Sequence, residues 1–238
     1  MAQPSEAERR TTAYREAGHA IVSLNVPDRD PIRKTTIVPR GQSLGATAHL
    51  PAAERSSLTR RALESRLCAL LGGRVAEELT AGRDCVTTGA ADDLERANEL
   101  SYRMVAQYGL SVELGPICYL RGEEGAGTIG SGGVLQGLSP ESAAAVDRAQ
   151  RTLIEASYVR ARAILTDRLD ALHALAAALL HYETLDVAQV HSILRRPSAR
   201  RCSKKGSRHD LSCSRSSRHQ GQGVLSMANS SDCGHAVS

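Results

Sequence analysis

Apolar residues recur at helical spacing through most of the first 195 positions. Ala13, Ala17, Ala20, Ile21 and Leu24 line one face of an amphipathic helix that must end before Pro27. The next two segments, "KTTIVPR" and "GATAHLP", are short and either rich in β-branched residues or alternating. They predict a small two- or three-stranded sheet, with the proline of the first marking an edge strand. From Ser57, the series Leu63, Leu67, Leu70, Leu71, Val75 and Leu79 predicts a long helix capped by Ser56 or Ser57 and stopped at Gly82. A third helix should start near Ala91, carry Leu94, Ala97, Leu100, Met104 and Val105, and end at Gly109. Ser139-Pro140-Glu141 is a helix start, and the alanine-rich run that follows reaches Ile164. Thr166 and Asp167 should begin another helix through Leu180, and a short one covers Val187 to Leu194. The short connections make these three antiparallel neighbours. The expected fold is therefore mainly α: a helical domain over residues 1–196 with a small β-sheet and a C-terminal helical bundle from about 139.

Two glycines, Gly72 and Gly73, interrupt the middle of the second helix. Each costs on the order of 1 kcal/mol relative to alanine, so the close approach of another backbone is the expected compensation, and a site could lie there. The glycine-rich run "RGEEGAGTIGSGGVLQG" lacks a following Lys-Ser or Lys-Thr and is no phosphate-binding loop. It reads as a surface loop. Beyond residue 196 periodicity vanishes and Ser, Arg and His dominate, so 197–238 is expected to be a disordered basic tail.

Composition narrows the class. With 3% aromatic residues and no Phe or Trp, the core must be built from Ala, Leu, Ile and Val, which suits helices packed at close range. The net charge of +4 is carried by the tail, which holds seven Lys or Arg against two Asp and leaves the body at −1. A near-neutral body without a basic, aromatic-interleaved stripe argues against nucleic acid as a partner. No apolar run approaches the roughly 18 to 20 residues that span a bilayer. The six cysteines are scattered without paired spacing, as in a reducing compartment. Cys202, His209, Cys213, His219, Cys233 and His235 in the tail fit no familiar zinc-finger spacing.

The candidate chemistry sits on the first helix. Two histidines four apart project from one helical face and can grip a zinc ion, while a glutamate next to the first acts as base on the bound water. Here the second histidine, His19, and the glutamate, Glu16, are present, in "YREAGHA". The acidic pair Asp92 and Asp93 opens a later helix, where either could supply a further ligand or simply cap the helix.

The segments "AYREAGHAIV", "DPIRKTTIVPRGQSLGATAHLP", "LGGRVAEELTAG", "TTGAADDLERA", "MVAQYGLSVELGP" and "LTDRLDALHALAAALLHYETLD", in this order, resemble the peptidase domain of FtsH-type ATP-dependent zinc metalloproteases. The resemblance runs from about Thr11 to Arg195. It implies a helical zinc endopeptidase fold with His19 and Asp93 as metal ligands, Glu16 as the catalytic base, and Glu77 as an acidic residue behind the ligands. It also implies unfolded polypeptide substrates, hexameric rings of FtsH-type subunits, and an association with bacterial, mitochondrial or chloroplast membranes. Members of that family carry a membrane anchor and an ATPase module ahead of the peptidase domain. No G-x-x-x-x-G-K-[ST] loop occurs in this sequence, so no ATP site is expected in it.

One position departs from the pattern. Arg15 stands where the first histidine would, and a guanidinium is permanently protonated and offers no lone pair. His19 and Asp93 alone should hold zinc weakly, because a catalytic zinc normally takes three protein ligands and a water. His49 and Cys85 are the nearest substitutes. The expectation is an impaired zinc site in which Arg15 stands in place of the metal, paired with Asp93. An active zinc endopeptidase and an inactive pseudo-protease that binds peptides or completes a ring are the two functions in view.

Overall fold

The computed structural model describes residues 4–28, 31–39, 45–49, 57–119 and 138–195. The glycine-rich run, the tail and its cysteines and histidines lie outside the described residues.

Six helices and one small sheet make up this part. α1 (Glu6–Asn25) starts at a reciprocal cap in which the Ser5 hydroxyl accepts from the Glu8 backbone and the Glu8 carboxylate accepts from the Ser5 N–H. α2 (Arg60–Ala81) is capped by Thr59 rather than Ser56 or Ser57, since it is the Thr59 hydroxyl that accepts from the Ala62 N–H. It ends at Gly82, whose φ of 89° lies in a region that side chains with a Cβ avoid. Two single 3-10 turns (Arg83–Cys85 and Thr88–Ala90) then lead into α3 (Ala91–Ala106). α4 (Pro140–Asp167) is capped by Ser139 with Pro140 in its first turn. Thr166 and Asp167 do not open a new helix. α4 continues through both, and the chain breaks at Arg168, where ψ reaches 33°. α5 (Leu169–Tyr182) and α6 (Val187–Leu194) follow, the latter under a reciprocal Asp186–Gln189 cap.

The sheet has three antiparallel strands in the order β2-β1-β3. β1 (Ile32–Thr36) lies in the middle, with Thr35 opposite Thr47 of β2 (Ala46–His49) and opposite Leu185 of β3 (Thr184–Asp186). Val38 and Pro39 fall beyond the end of β1, so the proline costs no ladder hydrogen bond.

α1 is the pivot of the core. Ala17, Ile21, Val75, Leu165, Leu172 and Leu179 belong to one buried cluster contributed by α1, α2, α4 and α5. A second joins Leu63, Leu67 and Leu71 of α2 to Met104 of α3, and a third joins Val105 to Val146. α4 packs chiefly along α2 and α5 chiefly against α1, so the C-terminal helices complete the core that the first two begin.

The mid-helix glycines have the anticipated use. A Cβ on Gly18 of α1 would lie 2.5 Å from the Gly72 carbonyl oxygen of α2, and one on Gly73 would lie 2.3 Å from His19 Nε2. Backbone-to-backbone approach of α1 and α2 therefore replaces the helix propensity lost at the glycines. The same approach lays Arg15 and His19 against the middle of α2, while Glu16 faces Gly45 and Thr47.

Candidate functional site

Four chain segments converge on the buried face of α1. Arg15, Glu16 and His19 are 5%, 3% and 8% exposed, although ionisable residues are rarely buried without partners. Each has one. They border a cavity of about 550 Å³ whose other walls include Thr47 of β2, Asp93 of α3 and Leu70 of α2.

Both nitrogens of the His19 ring face acceptors: Nδ1 lies 2.9 Å from the Ala69 carbonyl oxygen and Nε2 lies 3.0 Å from Asp93 Oδ2. Two acceptors call for two donors, which only the imidazolium supplies. Burial opposes that charge, but the hydrogen bond and charge of Asp93, with Glu16 nearby, outweigh it and raise the pKa of His19 to about 9. For Asp93 burial again opposes ionisation, and the His19 hydrogen bond and charge, helped by Arg15, hold its carboxyl below the usual range. Asp92, the other half of the acidic pair, is exposed.

Glu16 is spoken for at both oxygens. The Thr47 hydroxyl donates to Oε2 at 2.8 Å and Arg15 Nη2 lies 3.5 Å from Oε1. The Glu77 carboxylate, 1% exposed, accepts at Oε2 from the Thr87 N–H at 3.0 Å and the Thr87 hydroxyl at 3.1 Å, while its Oε1 has no partner among the described residues.

Arg15 does not pair with Asp93, contrary to the sequence-based expectation. Its Nη1 donates to the Gly89 carbonyl at 2.8 Å, and the Asp93 carboxylate is taken by His19. The physical reason is local. Gly89 has no Cβ, and one placed there would sit 2.4 Å from Arg15 Nη1, so the 3-10 turn leaves room for the guanidinium directly beneath its carbonyl.

These residues do not fit a catalytic zinc. Of the three positions that the resemblance makes ligands, two, His19 and Asp93, carry side chains with a lone pair to give, and they lie 3.0 Å apart beside the cavity. Position 15 contributes a fixed cation in place of a donor. Cys85 is exposed and does not line the cavity, and the side chain of His49 lies outside the described residues. Among the described residues, no group of three His, Cys, Asp or Glu side chains is placed to hold a metal ion. Nor, among them, is any helix long and apolar enough to cross a membrane.

Sequence reasoning missed Thr47 and Gly89. A threonine in a strand is ordinary, so nothing marked Thr47 as a partner of Glu16. Gly89 carried a faint signal as a glycine between Thr88 and Ala90, just ahead of an acidic helix start.

Comparison with known proteins agrees with this architecture. The family model for peptidase family M41 matches residues 2–193. The ATP-dependent zinc metalloprotease FtsH of Photobacterium profundum is 45% identical over 201 residues, covering 84% of this chain and 29% of that protein. The protein of the same name from Caulobacter vibrioides is 42% identical over 191 residues, covering 80% and 30%, and that from Haemophilus influenzae is 41% identical over 193, covering 81% and 30%. The chain thus spans about a third of the length of the curated relatives it matches. Buried glycine-mediated helix crossing, small sheet and acidic α3 start coincide with a family match over most of the chain, and the chain belongs to peptidase family M41 as a peptidase domain of the FtsH type.

Proposed function

We propose that this domain engages unfolded polypeptide without hydrolysing it, as a pseudo-protease subunit of an FtsH-type ring. One observation carries the reading: the position of the first metal ligand holds a buried guanidinium. In a working metallopeptidase the zinc supplies an activated water. Here the base position, Glu16, has its oxygens engaged by Thr47 and Arg15, and the residue that would complete the ligand set beside His19 and Asp93 is a permanent cation. What the residues can still do is bind. The cavity has apolar walls at Leu70, Val26 and Leu100, and the β2 strand runs along one side of it. An extended chain laid there would run beside backbone groups of β2 and a polar floor of mixed charge. The ring, by this reading, takes its ATPase and any cutting activity from other parts or other subunits.

The active endopeptidase is the second reading, favoured by the convergence of Glu16, His19 and Asp93 on one cavity. Casein digestion with added zinc separates the two. The unaltered chain is expected to release no peptides above a chelated control. Arg15→His should gain zinc-dependent cleavage, and Arg15→His with Glu16→Gln should lose it again. Zinc-dependent cleavage by the unaltered chain at the rate of Arg15→His would overturn the proposal.

A further inference from the structure

A metal ion held by residues of α1 and α3 does two jobs: it activates water, and it ties the two helices together. The misfit of this donor set to zinc removes the first job. The turn between α2 and α3 is clamped at two points, Thr87 by the Glu77 carboxylate of α2 and Gly89 by Arg15 Nη1 of α1. Beyond the turn, the first helical residues of α3 carry Asp93 to His19. Two contacts thus run from α1 to this segment, Arg15 to Gly89 and His19 to Asp93.

We infer that Arg15 is a positioning residue that takes over the cross-linking role of the metal, fastening the turn at residues 87–90 to α1 so that the segment is held in place without an ion. The inference rests on the reading of the site as unfit for catalytic zinc. Three observations support it. Arg15 is 5% exposed and its stem crosses directly over Gly73, where a Cβ would lie 2.6 Å from Arg15 Cγ, so the side chain has a fixed path. Its shorter contact is the 2.8 Å bond from Nη1 to a backbone carbonyl, against 3.5 Å from Nη2 to Glu16. Gly89 admits it, since any Cβ there would displace the guanidinium. A charge-assisted bond of this kind, buried, is stronger than a neutral one.

Amide hydrogen exchange tests the lock in the full chain, at the Thr87 N–H bonded to Glu77 and the Ala91 N–H bonded to the Thr88 carbonyl. In the unaltered chain a chelator should leave both rates unchanged. Arg15→Met should speed both by roughly tenfold or more, the equivalent of one lost buried hydrogen bond, while amides in the middle of α4 stay protected. Gly89→Ala should speed them in the unaltered background and add little to Arg15→Met, because the two changes remove the same contact. Should Arg15→Met fail to fold, Arg15→Lys replaces it, and an ammonium without the fork is expected to loosen the same two amides. Unchanged exchange in whichever Arg15 variant folds would overturn the lock, and would leave the non-cleaving reading standing. Loosening of the unaltered chain by the chelator would overturn both, because a metal would then be doing the fastening.

Discussion

Gly18→Ala is expected to destabilise the domain by roughly 3 kcal/mol, the upper end of the usual cost of overpacking, and Gly18→Val is expected to leave no folded domain. The sign is the informative part. On helix propensity alone, glycine to alanine inside a helix should gain about 1 kcal/mol. At Gly18, however, the added methyl would meet the Gly72 carbonyl oxygen at 2.5 Å and the Ala76 Cβ at 2.6 Å. A backbone carbonyl cannot swing aside as a side chain can, so α1 and α2 must move apart. Because α1 carries Arg15, Glu16 and His19 and α2 carries Glu77, the shift spreads to every contact of the site. Urea unfolding of Gly18→Ala measures the loss, and a stability equal to or above that of the unaltered chain would show that the helix crossing is looser than described.

Glu78→Ala is expected to cost about 2 kcal/mol, as for removal of the shared acceptor of a hydroxyl and of partly exposed guanidinium groups. Glu78 sits near the end of α2 with its side chain 8% exposed, accepting from the Tyr158 hydroxyl of α4 and lying 3.0 Å from Arg74 Nε and 3.5 Å from Arg162 Nη1. It is the polar rivet of the α2–α4 interface, and truncation leaves a hydroxyl and a nearby guanidinium without their acceptor. Glu78→Gln keeps the shape and a hydrogen-bonding oxygen, and should cost less. The pH dependence has a definite sign. Burial raises the Glu78 pKa, but the Tyr158 and Arg74 hydrogen bonds with the charges of Arg74 and Arg83 outweigh it and hold it below the ordinary 4.5. A depressed carboxyl contributes stability that is fully present above its unfolded value and is lost as pH falls through its folded one. Thermal unfolding of the unaltered chain should therefore weaken below about pH 4.5, with a smaller acid-dependent loss in Glu78→Gln. Equal losses in both would remove Glu78 from the account.

Much of this architecture can be read from periodicity. α1, α2, α3 and α6 follow their apolar stripes because a buried helix face must repeat every 3.6 residues, whatever its partner. The ends were less legible. Ser56, Ser57 and Thr59 are all chemically fit to cap α2, and only the geometry selects Thr59. Thr166 and Asp167 look like a cap, yet the helix runs through them because burial of Ala161 and Leu165 against the core continues the turn to Arg168. β3 is three residues wedged between α5 and a capping box, too short to alternate visibly, and its place beside β1 is a long-range fact.

The site divides in the same way. Glu16 and His19 follow from residue types whose chemistry constrains their spacing, Asp93 is set apart from Asp92 only by the family resemblance, and the departure at Arg15 is visible as a letter. Where its side chain goes is not. That depends on long-range packing, in which His19 lies 3.0 Å from Asp93 and the missing Cβ of Gly89 opens its carbonyl to the guanidinium.

Zinc stoichiometry of the purified full chain, incubated with excess metal and then desalted, tests the central claim most directly. A cation fixed at position 15 and two remaining ligands predict well under one zinc per chain, with no difference between the unaltered protein and His19→Ala. One tightly held zinc per chain that disappears in His19→Ala would contradict it.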